Sequence, residues 1–330
     1  MSVLVTGGAG YIGSHTTRAL IAAGRRVVVL DSLTTGHRDA VLGAPLVVGD
    51  IADRELVARL CREHDVTAAV HFAALKNVGE SMTSPGVYWT TNVGGSAALT
   101  DTLATAGVRH IVFSSSCSVY GTPATVPVAE ESPIHPESVY AETKAMVERI
   151  LHWYHLTHGL NSVSLRYFNA AGASHDGRIG EDWRFSANLI PVVLKAALGR
   201  GNAVEVFGTD YPTADGTCIR DYVHVEDLAD AHLAALDHLE KVGGSFAVNV
   251  GTGIGSSVLD VITAVERISG LEVPRVLGPR RAGDPVATFA DPTAAEKLLG
   301  WRARYGLDAI VATAHAWHAS RPDGYATAPR

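Results

Sequence analysis

Short apolar runs alternate with longer amphipathic stretches through the first half of the chain. Val3–Val5, Val27–Leu30, Leu46–Val48, Ala68–Phe72 and Ile111–Phe113 read as strands, most of them apolar throughout rather than every second residue. That pattern belongs to strands buried on both faces, as in a parallel sheet covered by helices. Between them, Thr16–Ala23, Arg54–Glu63 and a long stretch from Tyr88 to Ala106 carry helical periodicity, the last with a stop expected at Gly107. A further helix is expected over 138–158, entered through Pro136 and Ser138. Repeated strand and helix predict an α/β fold with a doubly wound parallel sheet.

Length adds a second region. At 330 residues the chain exceeds the size at which one core usually stops growing. We expect one domain over 1–170 and a smaller mixed α/β substrate domain over 171–330. The 47% hydrophobic and 18% charged fractions are those of a folded water-soluble protein, and no run approaches the roughly 20 apolar residues of a membrane span. The sequence starts at its first strand, so no signal peptide is expected. Cys61, Cys117 and Cys218 show no paired spacing, which suits a reducing, cytoplasmic setting. A formal charge of −7 argues against nucleic acid as a partner. An anionic substrate would have to be met by local arginines.

The first candidate chemistry lies where the first strand ends. Gly7, Gly10 and Gly13 follow Val3–Thr6 and precede a helical pattern. A tight turn at Gly7, room for a pyrophosphate at Gly10 and close helix packing at Gly13 make a Rossmann-type dinucleotide site. Asp31 closes the next strand, where a carboxylate accepts from an adenosine ribose. Ser32, Leu33, Thr34 and Thr35 offer no arginine for a 2′-phosphate, which favours NAD over NADP, with Arg38 and His37 as the opposing signal. Asp50 and Ile51 follow the third strand and suit an adenine amine and ring; equally, Asp50 suits a cap for the helix beginning near Asp53. Phe72, Ala73 and Ala74 lie at another strand's C-terminal end, with Lys76 in reach of a phosphate.

The second candidate is a pair of residues. Tyr140 and Lys144 stand four apart on the 138–158 helix, after a strand ending in Ser114, Ser115 and Ser116. An ammonium and a cationic nicotinamide ring both favour a phenolate, bringing a tyrosine from a pKa near 10 towards the range of a general base. In isolation a packed tyrosine beside a snorkelling lysine, or a serine satisfying backbone groups, is the commoner meaning. In a chain built to hold a dinucleotide the catalytic reading prevails. His152, His155 and His158 diverge around the same helix without a carboxylate partner, so no metal is expected.

Taken together, Gly7–His15, Ser114–Ser116, Tyr140–Lys144 and Arg166–Asn169 resemble the extended short-chain dehydrogenase/reductase superfamily, and within it the UDP-glucose 4-epimerase family, from Val3 to about Pro322. The resemblance implies that Tyr140 is the base, that Lys144 holds the nicotinamide ribose and tunes it, and that Ser116 binds the sugar hydroxyl. It puts NAD against Gly7, Gly10, Tyr11, Ile12, Gly13, Asp31, Asp50, Ile51, Phe72, Ala73, Lys76, Asn92, Ser114, Tyr140, Lys144 and Tyr167. A UDP-sugar would be held by Ser116, Tyr140, Asn169, Asn188, Leu189, Val204, Phe207, Arg220, Arg281 and Asp284. By their own context Arg220 and Arg281 suit phosphate forks or surface ion pairs alike. The resemblance also implies a homodimer in which the helices at 88–106 and 138–158 form a four-helix bundle, and it returns segments 221–225 and 246–250 to the first domain. Cys117 and Ser118 stand where related dehydratases carry an acid and base, which disfavours loss of water. UDP-glucuronate decarboxylases share the first steps but not the substrate region, and a non-catalytic NAD sensor would not be expected to keep Tyr140 and Lys144. Thr288 stands where many bacterial members carry a tyrosine, so 2-acetamido sugars are expected to fit.

Overall fold

The computed structural model describes residues 2–281 and 283–326. Its strands in chain order are β1 (Ser2–Thr6), β2 (Arg26–Asp31), β3 (Leu46–Val48), β4 (Val66–His71), β5 (His110–Ser116), β6 (Asn161–Tyr167) and β7 (Asn169–Ala171). They continue with β8 (Val204–Phe207), β9 (Ile219–His224), β10 (Ser245–Val250), β11 (Gly255–Ser257), β12 (Arg275–Gly278) and β13 (Ala287–Thr288). The helices are α1 (Tyr11–Ala22), α2 (Arg54–Glu63), α3 (Val78–Thr83), α4 (Pro85–Tyr88), α5 (Gly95–Thr105) and α6 (Val139–His158). After them come α7 (Leu189–Ala197), α8 (Val225–Lys241), α9 (Val258–Ser269), α10 (Thr293–Leu299) and α11 (Leu307–Ser320).

Seven parallel strands in the order β10-β6-β5-β4-β1-β2-β3 form the main sheet. Because side chains alternate across a strand, each apolar run feeds two cores at once. Val3, Val5, Val29, Val70, Val112 and Leu165 pack on one face with Leu20 of α1 and Leu228 and Leu236 of α8. Leu4, Val28, Leu30, Ala69 and Ile111 pack on the other with Leu60, Leu103 and Leu151 of α2, α5 and α6. Strand order reverses at β1, between β4 and β2, which opens a crevice at the strands' C-terminal ends.

Most expected elements appear with shifted ends. The first helix starts at Tyr11, directly after Gly10, rather than at Thr16, because the turn hands its backbone straight to the helix: Ser14 N–H donates to Gly10 O at 2.9 Å. Ser138 caps α6, accepting from Ala141 N–H, and Gly159 ends it in the left-handed region at φ +66°. The stretch 88–106 is helical but not uniform, with a π-helical turn over Trp89–Gly94. Asp53 caps α2, whereas Asp50 accepts from Ala52 N–H, so the capping alternative for Asp50 does not hold.

The C-terminal half builds a smaller sheet in which β9 pairs with β7, β11 and β13, and a separate β8–β12 pair. Its core gathers Ile190, Val193, Val204, Val206, Val261 and Ile310. The chain then revisits the main sheet, since β10 is its outer strand beside β6.

Candidate active site

Three chain segments converge on the crevice at β1. Gly7 adopts φ +72°, and a Cβ there would lie 2.7 Å from Ala73 N, so the β1 and β4 termini approach as closely as backbones allow. A Cβ on Gly13 would fall 2.2 Å from Gly7 O, which only glycine permits where α1 leaves the turn. Asp31, buried at the end of β2, accepts from Ala9 N–H at 2.9 Å and Leu33 N–H at 2.8 Å. Burial raises its pKa and those two hydrogen bonds oppose the rise. Each carboxylate oxygen retains a lone pair for a further donor.

These groups border one cleft of about 440 Å³. Gly10, Tyr11, Ile12, Asp50, Ile51, Phe72 and Lys76 line it on one side, and Ser114, Tyr140, Lys144 and Tyr167 on the other. Asn92 lies behind the wall. It is buried, bonding Leu75 through both N–H and C=O and Thr143 through Oγ1, so it ties the 72–76 segment to α6.

The three serines ending β5 have three separate tasks. Ser114 O accepts from Lys144 Nζ at 2.8 Å while its hydroxyl pairs with Tyr167 Oη. Ser115 Oγ donates to Glu148. Ser116 Oγ accepts from Ser118 Oγ at 2.9 Å and also bonds Tyr140. Burial drives the Tyr140 phenol well above its ordinary value, the neighbouring Tyr167 adds to that, and the Ser116 hydrogen bond opposes it. Burial pulls Lys144 down to about 7, and Glu148 alone supports its charged form. In the protein's own field the phenol is pushed up, so the lowering expected from the lysine and a cationic nicotinamide ring together rests on the charge of the ring. A phenolate here requires further positive charge in the cleft.

Sequence reasoning missed the support behind this pair. Glu148, one turn after Lys144, takes a bidentate pair from Arg166 of β6, with Nη2 at 2.6 Å. Arg166 reaches Tyr120 Oη at 2.9 Å, and Tyr120 donates to Asn249 of β10. The 140/144/148 spacing was a visible signal for Glu148. Nothing local pointed to Asn249.

The expected substrate residues form a second cluster around β9. Arg220 Nη2 lies 3.6 Å from Asp284 Oδ1, and Arg281 forks onto the same carboxylate at 2.8 and 3.0 Å. Arg281 stands 5.6 Å over the Phe207 ring. Asn169 Nδ2 donates to Asp221 O, and Thr288 lies opposite Arg220 in the β9–β13 pairing. Ser116 pairs with Tyr167 at the end of β6, and β7, which starts two residues later, pairs with β9, the strand that carries Arg220, so the cluster borders the Ser116 end of the cleft. Val204 is 1% exposed and packs in the core, so of the 204–207 strand Phe207 is the residue that presents a ring. Leu189 begins α7, and Asn188 just before it turns to Glu181 at 3.2 Å.

A family model described as NAD dependent epimerase/dehydratase family matches residues 3–251. The chain belongs to that family. It is 46% identical to a UDP-glucose 4-epimerase of Lactobacillus helveticus over 98% of this chain and 99% of that one. The crystal structure of UDP-glucose 4-epimerase from Brucella ovis in complex with NAD superposes with a TM-score of 0.93 at 45% identity, covering 95% of this chain and 97% of that one. That from Bifidobacterium longum in complex with NAD+ and UDP does so with a TM-score of 0.93 at 40% identity, covering 98% and 100%. The crevice of this family member fits a dinucleotide on its own geometry. The α1 N-terminus, the Gly10 backbone and the buried Asp31 carboxylate suit a pyrophosphate and a ribose. NAD is the cofactor.

Proposed function

We infer that this chain is a UDP-glucose 4-epimerase, interconverting UDP-galactose and UDP-glucose at C4 of the sugar. The observation that carries the reading is that Tyr140 and Lys144 line a dinucleotide crevice, while Ser116 ends the strand whose neighbour runs on into the sheet that carries the paired arginines. Bound NAD supplies the acceptor for the C4 hydride and returns the hydride to the opposite face, so the cycle is redox neutral. Tyr140 Oη takes the proton from O4 and later gives it back. Lys144, fixed by Ser114 O, adds positive charge beside the phenol and holds the nicotinamide ribose. Ser116 orients the sugar hydroxyl. Arg220 and Arg281 hold the diphosphate with Asn188, Asp284 takes the uridine ribose, and Phe207 faces the uracil. Between the two transfers the 4-keto sugar turns about this anchor, so the hexose itself is held loosely.

On this reading the dinucleotide belongs to residues 1–170 and the UDP-sugar to 171–330, with β10 returned to the first domain, in a cytoplasmic enzyme. The enzyme is a homodimer joined through a four-helix bundle, which accounts for Trp89, Met146, Trp153 and Leu156 lying exposed along the 88–106 and 138–158 segments. No helix among the described residues is long and apolar enough to cross a membrane.

The test is incubation of purified protein with UDP-galactose and no added NAD, with light scattering on the same preparation. UDP-glucose as the product and twice the chain mass are expected. Loss of water instead would select a dehydratase, release of carbon dioxide from UDP-glucuronate in a parallel incubation would select a decarboxylase, and a monomeric mass would remove the bundle.

A second reading rests on Thr288. Its buried Oγ1 has no hydrogen-bond partner among the described residues, and threonine leaves space that a tyrosine would fill. UDP-GlcNAc and UDP-GalNAc are then substrates too. Wild-type turnover of UDP-GlcNAc, lost selectively in Thr288→Tyr, is the expected outcome, and no wild-type turnover rejects it.

A further inference from the structure

Glu181 is a buried acid that neither the glycine turn nor the catalytic pair explains. It lines the cleft, yet its side chain is only 5% exposed. One oxygen, Oε1, serves two donors from opposite sides. Asn188 Nδ2 reaches it at 3.2 Å and Lys76 Nζ lies 3.5 Å away. The Lys76 side chain is 57% exposed and free to swing, whereas the Glu181 backbone is pinned. Trp317 Nε1 donates to Glu181 O at 2.9 Å, and Gly180 exchanges two hydrogen bonds with Tyr325 Oη. A Cβ on Gly180 would strike the Trp317 ring at 2.5 Å, so this backbone has no other place to lie. Glu181 also faces the start of α1, where its charge helps raise the buried Tyr11 phenol after desolvation.

We propose that Glu181 is a positioning residue that couples cofactor binding to substrate binding, by sharing one carboxylate oxygen between Lys76 on the dinucleotide side and Asn188 on the diphosphate side. This rests on the functional reading above, in which Lys76 serves the cofactor and Asn188 the substrate. The coupling follows from electrostatics. With three N–H donors, Lys76 can keep Glu181 neutralised while it serves the cofactor, and Asn188 is then held weakly and can turn to a diphosphate. When Lys76 is removed, Asn188 is the carboxylate's remaining side-chain donor among the described residues, and an uncompensated negative charge faces the incoming anion. Lys76 thereby governs a ligand it does not itself hold, and the same coupling acts in reverse on the cofactor.

The experiment is a calorimetric titration of UDP into NAD-saturated wild type, Lys76→Met, Glu181→Gln and the double variant, with NAD content checked by absorbance. Glutamine keeps the acceptor for Asn188 and discards the charge. Lys76→Met is expected to weaken UDP binding about tenfold when Glu181 is present and less than about twofold in the Glu181→Gln background. The same loss in both backgrounds would mean that Lys76 touches UDP directly and overturns the proposal. A purely structural role for Glu181 would shift the melting temperature but leave the Lys76 effect intact, and this too overturns it. Should Glu181→Gln fail to fold, Glu181→Met, which discards the charge without burying a new polar group, takes its place with the same expectation. Absence of any UDP binding by wild type would defeat the functional reading itself, whereas UDP binding with an undiminished Lys76 effect would defeat the coupling alone.

Discussion

The cofactor side and the substrate side of the cleft hold their polar groups by different means. On the cofactor side, position is dictated by backbone: Gly7 and Gly13 leave no room for a side chain, and Asp31 is fixed by two backbone N–H groups. Lys144 is 3% exposed and clamped to a main-chain carbonyl. On the substrate side, Arg281 is held by Asp284, which it shares with Arg220, and its side chain is 63% exposed. A buried group with a single partner has no alternative position, and an exposed fork has many. On the proposed reading this sets a rigid hydride site beside an adaptable diphosphate anchor, the division of labour that a turning sugar requires.

The comparison breaks most easily at Tyr140. Tyr140→Phe removes one oxygen and leaves the ring, so the cleft walls and the glycine turn stay as they are. Turnover should fall by about 10²- to 10⁴-fold while the protein still copurifies with NAD. Steady-state rates and the absorbance of released cofactor check both halves. Activity near wild type would take the proton step away from Tyr140. Loss of NAD would show that the phenol helps to hold the cofactor as well, and that the cofactor side owes less to its backbone than the geometry indicates.

The same division explains what could be read from sequence. Gly7, Gly10, Gly13 and Asp31 lie within 25 residues, and Tyr140 and Lys144 within one helical turn, so local spacing carries their geometry. The parallel sheet was equally legible, because strands buried on both faces lose the polar alternation that marks an exposed face. Asn169, Arg220, Arg281 and Asp284 meet only through the pairing of β7, β9 and β13, and no periodicity encodes that register. They were found through family resemblance rather than physics. Glu181 went unread for another reason: a buried acid with no helical spacing to mark it becomes visible only with its partners, and Lys76 and Asn188 come from other segments. Helix ends moved for local causes, as where α1 begins at the glycine turn itself.

The smallest expected effect sharpens the comparison most, because it separates the two arginines. Arg281 and Arg220 share Asp284, but Arg220 is 18% exposed at its side chain and also donates to Ile219 O and Pro285 O. Arg220 is thus held by backbone acceptors, as the cofactor-side groups are held by backbone, whereas Arg281 meets, among the described residues, the carboxylate and the Phe207 ring. In Arg281→Ala the shared aspartate keeps Arg220 as its partner, so no buried charge is stranded. KM for the UDP-sugar should rise roughly fivefold with kcat little changed, since an exposed contact is made equally in ground and transition states. A steady-state titration of Arg281→Ala against wild type decides it. A large fall in kcat would mean that Arg281 is drawn in and desolvated once the substrate binds, and the substrate side would then be as rigid at the moment of reaction as the side that holds NAD.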